Sequence, residues 1–420
     1  CETVEMDPLD MASRNELVLI SRAQDKPLAA ESQLAELTAL LDVSDALSKV
    51  QSYLDMAHDY ANAGLWGEAF DLLGRLAGGD YVFPTVLYAM AYAQHQLGQD
   101  EEAEVLLARA AEMPTDYCFP ERLEAMLALA YAQSVRPDDA KVAYYLGNLY
   151  YDKQRYDEAI AQWQHATELA PDFSIPWRNL GIAAYNILED PAQAVAYYER
   201  AFEAAPDDGR VLSEWDQLRR RTGISPEKRL ALLEKHLDLV RDRDDLSTEL
   251  ATLYNQTGQP QKALDYVLSR RFHPWEGGTG RVSRQYVQAH LLLGRAALDE
   301  GDAEAALSHF ETAQETYPET LGERKHLLWP DADVSYYTGL AKQALGDEEG
   351  SVAALPESDS VGDRCGVRET RVHLGGQVVP LRHHALRVPA GAPMVDRLLA
   401  LFLLMLTIPL LLLTALLLLA

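Results

Sequence analysis

Residues 140–171 read AKVAYYLGNLYYDKQRYDEAIAQWQHATELAP. Leu146, Gly147 and Tyr150 fall on one face of a first helix. Ala159, Trp163 and Ala166 share a face of a second, and Pro171 closes the unit. The polar run between them supplies the turn. Gly147 and Ala159 are small where the two helices must cross, and Tyr150 and Trp163 are large enough to fill the space beside that crossing. A single helical hairpin cannot bury its own apolar face, so this unit predicts neighbours of the same kind.

The neighbours follow in the chain. From Ser174 the pattern returns as Trp177, Leu180, Gly181, Ala194, Tyr198, Ala201 and Pro206, its second half shifted by one inserted residue. From Val287 it returns as Leu293, Gly294, Gly301, Ala306, Phe310, Ala313 and Pro318. Weaker copies centre on Tyr60 and Gly64, on Met90 and Gly98, and on Tyr254 and Gly258. A last copy with Gly339 and Gly346 stops halfway. A period of about 34 residues built from two antiparallel helices resembles the tetratricopeptide repeat.

The fold expected is all-α, a right-handed superhelical α-solenoid with no β-sheet between about residues 8 and 350. Residues 1–48 are read as helices leading into the array and 49–351 as the solenoid, with its best repeats at 140–173, 174–207 and 287–320. Residues 352–396 are read as a flexible, poorly structured linker and 397–420 as a single hydrophobic, membrane-type helix. Proline and aspartate punctuate the array. Pro137-Asp138-Asp139 and Pro206-Asp207-Asp208 each end one helix and offer a carboxylate to cap the next, and Asp244-Asp245 stands at another helix start.

The 420 residues are 48% hydrophobic and carry a formal charge of −28. The first 351 residues hold 31 basic and 60 acidic side chains, a net −29, while the remainder is close to neutral. So acidic a surface repels nucleic acid, which is excluded as a partner. Cys1, Cys118 and Cys365 are scattered, without a CxxC pair, so neither a disulfide framework nor a cysteine zinc site is expected. The chain opens on Cys1 rather than methionine, which reads as a processed form or a fragment.

No phosphate loop, HExxH, GxSxG or GxGxxG motif occurs. His383-His384 has no acid or cysteine at ligand spacing. No catalytic residue, metal or cofactor is therefore expected, and the chain is read as a non-enzyme.

What such repeats do is bind. In the repeat class that this chain resembles, the positions facing the concave groove fall on Tyr88, Tyr92, His95, Lys141, Tyr144, Asn148, Tyr151, Arg178, Tyr185 and Asn186. Tyrosine offers a stiff ring with a polar tip and asparagine both donates and accepts, so the groove suits a protein or peptide ligand, or a glycan. The same tyrosines can instead pack between helices. The variant that clamps C-terminal carboxylates needs lysine where Tyr144 stands. A second candidate is the loop RRFHPWEGGTG (270–280), whose Phe272, His273, Trp275 and Glu276 either plug a gap between repeats or bind.

A narrower resemblance covers about residues 7–350. DPLDMASRNEL, DYCFPERLE, AYYLGNLYYDK, FHPWEGGTGRV and YYTGLAKQALGDEEG are similar to the C-terminal half of a family of large bacterial proteins. The N-terminal half of that family is a domain of unknown function, a β-sandwich similar to sugar-processing enzymes, and it is absent here. The resemblance implies, as the alternative to a scaffold, an accessory piece of a carbohydrate-active protein.

Leu398–Ala420 has Thr407 and Thr414 as its only polar side chains, and a helix of that length spans about 34 Å, enough for a bilayer core. It loosely resembles the opening membrane segment of bacterial sugar-phosphate transferases. Arg371, Arg382, Arg387 and Arg397 precede it, which by the positive-inside tendency keeps the solenoid on the cytoplasmic side. A shift of reading frame after Gly350 is the competing explanation of this tail, and the solenoid would then be soluble and cytoplasmic.

Overall fold

The computed structural model describes residues 2–42, 46–76, 83–116, 118–273, 275–324, 332–354, 366–374 and 377–385. Two compact units divide the chain, residues 1–224 and 225–420. The first unit holds α1 (Glu2–Met6), α2 (Met11–Ala23), α3 (Pro27–Asp42), α4 (Ala46–Asn62), α5 (Trp66–Gly74), α6 (Pro84–Gln96) and α7 (Asp100–Glu112). It continues with α8 (Leu123–Val135), α9 (Ala140–Asp152), α10 (Tyr156–Leu169), α11 (Ser174–Asn186), α12 (Pro191–Ala204) and α13 (Gly209–Arg221). Successive helices pack in pairs, α2 on α3, α4 on α5, α6 on α7, α9 on α10 and α11 on α12, and α13 covers α12.

The second unit contains α14 (Pro226–Lys235), α15 (Leu237–Arg241), α16 (Asp244–Gln256), α17 (Pro260–Leu268), α18 (Arg281–Glu300) and α19 (Ala303–Glu315). A short 3-10 turn (Glu319–Leu321) precedes α20 (Ala332–Ala344) and α21 (Glu348–Ala354). The final half-repeat is not left bare: α21, which includes Ser351-Val352-Ala353-Ala354, packs on α20.

The crossing of each good repeat follows one rule. A Cβ placed on Gly147 would lie 2.4 Å from the Trp163 ring, on Gly181 2.6 Å from Tyr198, and on Gly294 2.4 Å from Phe310. Each glycine therefore makes room for the partner helix's aromatic ring, and Ala159, Ala194 and Ala306 beside it are fully buried. Helix starts are fixed by the expected aspartates. Asp139 accepts from the Lys141 amide (2.9 Å) and Asp208 from those of Arg210 and Val211 (2.8 and 3.2 Å). Asp244, expected to do the same, instead pairs with Arg270 and accepts from the His273 amide at 2.8 Å.

One expectation is corrected. The segment 352–396, read as a poorly structured linker, contains an antiparallel hairpin of β1 (Gly366–Leu374) and β2 (Gln377–Ala385), with Gly366 opposite Ala385 and Leu374 opposite Gln377. The signal was in the sequence: two runs rich in valine are separated by Gly375-Gly376, a two-residue spacing and composition favoured by tight hairpins. Side chains of the hairpin, His383 and His384 included, lie outside the described residues, as does the whole of Leu398–Ala420. Among the described residues no helix is long and apolar enough to cross a membrane.

Candidate functional site

The side chains expected to face one groove are divided by α8. This helix has no counterpart in the repeat pattern, and it packs on α6 and reaches α4. Arg122, immediately before it, pairs with Asp55 (3.2 Å) and Asp59 (3.4 Å) on α4, and Glu124 accepts from Asn62. Tyr131 of α8 stacks on His95 at 4.2 Å between ring centroids and tilts against Tyr92 at 5.9 Å. The part of the expected groove contributed by α6 is thus covered from within the chain. Tyr92 and His95 serve to hold α8.

Two further residues turn inward. Tyr88 is 1% exposed and meets Tyr145 edge to face, and burial together with the Asp139 carboxylate raises its phenol far above the ordinary value. Lys141 extends away from the groove and donates to the carbonyls of Ala111 (2.7 Å) and Met113 (2.5 Å), closing the C-terminal end of α7. Tyr88 thus packs between helices, and Lys141 is engaged by backbone carbonyls.

Four of the six remaining residues assemble. Tyr144, Asn148 and Tyr151 on α9, with Arg178 on α11, line a cleft of 770 Å³ completed by α13 and by the segment after α7. Asn148 is the hub of its floor, its Oδ1 accepting from Trp163 Nε1 (3.1 Å) and Asn179 Nδ2 (2.9 Å). Tyr144, 5% exposed, packs on Phe173 and contributes little more than its edge. Tyr151 is half-buried against Tyr156 and Trp163, and burial with the neighbouring Tyr156 raises its phenol. Ile182 adds an apolar wall that the sequence reading missed. Tyr185 is half-buried and Asn186 exposed on α11, and neither lines the cleft.

Charge in this cleft is arranged by one carboxylate. Arg178 grips Glu214 through Nε and Nη2 (2.6 and 2.7 Å), and Arg210 Nε (3.1 Å) and the Tyr198 hydroxyl (3.0 Å) donate to the same group. Burial opposes ionisation of Glu214, yet the Arg178 hydrogen bonds and charge win and hold its carboxyl below the usual range. Glu214 offsets one of the two guanidinium charges, and Asp116, Glu121, Asp152 and Asp208 on the lining outweigh the other and leave the cleft acidic. Ordered donors and acceptors on rigid helices, an apolar wall and negative charge suit recognition rather than bond-making. Among the described residues no group of three or more histidine, cysteine or acidic side chains is placed to hold a metal.

The loop of the second unit separates its members. Phe272 is a buried plug: its amide donates to the Thr320 carbonyl (2.8 Å) and the Arg270 guanidinium covers its ring at 4.8 Å. Trp275 is only half-buried and folds back on Gly278, where any Cβ would fall 2.3 Å from its ring. His273 and Glu276 are exposed, with His273 Nδ1 3.4 Å from Asp244.

Known proteins share parts of this chain. Residues 147–187 match the family described as TPR repeat, and 179–208 and 248–320 match families described as tetratricopeptide repeat. Over 201 residues the chain is 27% identical to the Homo sapiens protein O-mannosyl-transferase TMTC1, covering 44% of this chain and 21% of that protein. The chain therefore spans about a fifth of the length of this relative. Among solved structures, the C-terminal part of a TPR repeat-containing protein from Cytophaga hutchinsonii is 14% identical over 65% of this chain and 100% of its own, with a TM-score of 0.34. YrrB, a TPR protein with an unusual peptide-binding site, is 17% identical over 50% of this chain and 94% of its own, with a TM-score of 0.21.

Proposed function

We propose that this chain, a tetratricopeptide repeat protein, is a non-enzymatic interaction scaffold that holds a basic peptide segment in the cleft between α9, α11 and α13. The observation that carries this reading is the convergence of Tyr144, Asn148, Tyr151 and Arg178 on one 770 Å³ cleft with an acidic lining. An extended segment presents alternating side chains and backbone amides. On this reading Asn179 and Tyr151 meet the amides and Ile182 an apolar side chain. Acidic lining speeds encounter with lysine- or arginine-bearing partners and disfavours acidic ones.

The second reading, an accessory piece of a carbohydrate-active protein, draws on the partial likeness to an O-mannosyl-transferase. The two are separated by presenting the chain to a random peptide library and to a glycan array, each with Ile182→Arg as control. A scaffold selects basic peptides and loses them in the variant. Selection of glycans in place of peptides refutes the first reading.

Anchoring through Leu398–Ala420, with the repeats on the cytoplasmic side, is part of the same proposal and rests on the apolar run and its arginine flank.

A further inference from the structure

A second cavity lies in the same unit, between α4, α6 and α8, and measures 510 Å³. That is the size of a small-molecule site, and its walls are largely apolar, with Val50, Leu54, Phe83 and Leu129 among them. Phe119, 73% exposed on the segment before α8, stands at the boundary between this cavity and the peptide cleft. So large an exposed ring on a lining segment is a ready contact for an apolar guest.

Two lining residues, His58 and Tyr88, each carry a buried polar atom without a hydrogen-bond partner. His58 on α4 is 8% exposed, lines the cavity, and its Nδ1 is buried without a hydrogen bond. A buried, unsatisfied nitrogen is destabilising unless something occupies the space before it. Burial, with the Arg122 charge acting in the same direction, holds the imidazole below its usual pKa against the pull of Glu124, Asp55 and Asp59, which favours the neutral ring. In the tautomer protonated at Nε2, Nδ1 accepts a hydrogen bond.

The mouth carries excess negative charge. Arg122 is engaged by Asp55, Asp59 and Glu124, and Glu121 stands beside it on the lining, held by Gln51 at 3.2 Å. Glu121 is the one carboxylate on the lining and the Arg122 guanidinium beside it is already paired with three acids, so a cation is favoured there over an anion.

The geometry points to a small-molecule site between α4, α6 and α8 that takes an aromatic or alicyclic amine, its apolar body within the cavity and its ammonium shared between His58 Nδ1 and the acidic mouth. This site shares its rim residues Phe119, Pro120 and Glu121 with the peptide cleft, while its occupancy does not depend on the peptide reading. Two probes with one ring system and opposite charge, 1-naphthylmethylammonium and 1-naphthoate, are titrated at pH 7 into the full chain, following ligand fluorescence. The cation is expected to bind saturably and at least tenfold tighter than the anion. Glu121→Lys, on an exposed side chain, should weaken the cation at least threefold and strengthen the anion. His58→Leu should weaken the cation at least fivefold, and Ala125→Phe, which fills the cavity from α8, should abolish binding of both. A thermal melt accompanies each variant; if Ala125→Phe does not fold, Ala125→Leu takes its place. Equal affinity for the two probes, or cation binding unchanged by the cavity-filling and Glu121 variants, overturns the assignment.

Discussion

Gly147→Ala adds a single methyl group to α9, and the structure says where it must go. The new Cβ would lie 2.4 Å from Trp163 Cδ1 and Nε1, where ordinary carbon contacts are about 3.5–4 Å, so the indole has to retreat by over an ångström. The ring is 3% exposed and its Nε1 donates to Asn148 Oδ1 at 3.1 Å, so retreat strains packing and this hydrogen bond together. Overpacking costs about 1–3 kcal/mol and a weakened hydrogen bond about 1 kcal/mol. The helix gains up to about 1 kcal/mol from replacing glycine by alanine. The net expectation is a loss of about 1–3 kcal/mol. In a Trp163→Leu background the clash is gone, and the same substitution should be stabilising by about 0.5–1 kcal/mol. Urea denaturation followed by far-ultraviolet circular dichroism, on both singles and the double, gives the coupling directly. If Gly147→Ala is neutral or stabilising in the Trp163 parent, the crossing rule for Gly147, Gly181 and Gly294 is wrong.

Other expectations follow from single contacts. His290 packs 3.0 Å, Nδ1 to Nδ1, from His309, and burial, with His309 adding, lowers its pKa to about 4. The unfolded chain therefore binds the extra proton first, and about 3 kcal/mol of stability present above pH 6.5 drains away as pH falls towards 4. His290→Phe should flatten the pH dependence of the melting temperature in that window. In the loop, Phe272→Ala should cost about 3–5 kcal/mol and Trp275→Ala markedly less, because only the first ring is enclosed; equal losses in thermal unfolding would contradict the plug. For the tail, the full chain should sediment with membranes and a chain ending at residue 354 should not, and full-length protein in the supernatant would dismiss the anchor.

The repeat core is legible in the sequence because it obeys a period. Glycine opposite an aromatic at fixed spacing can be read as a helix crossing without coordinates, and Gly147 with Trp163 is such a pair. The candidate site is legible only in part. Groove positions follow from the assumption of an uninterrupted repeat, and α8 breaks that assumption by lying against Tyr92 and His95. ERLEAMLALAYAQS reads as one more helix, but its packing partner is a tertiary fact that no local pattern encodes. Lys141 is misplaced by the repeat pattern for a similar reason. A long flexible side chain can reach forward to a ligand or back to the carbonyls of Ala111 and Met113, and the free carbonyls at the end of α7 decide it. At 366–385 the loss of helical period obscures the pairing of β1 with β2, although the two glycines between them in the sequence are a hairpin signal.

The central claim is that partners enter the cleft between α9, α11 and α13. Tyr151, half-buried on its wall, can be replaced by the photo-cross-linking amino acid p-benzoylphenylalanine, with the same replacement at exposed Arg200 on α12 as the control. Illumination in the presence of the selected basic peptide, followed by mass spectrometry, is predicted to give an adduct at position 151 and none at 200. Adduct formation at 200 with none at 151 would contradict the account.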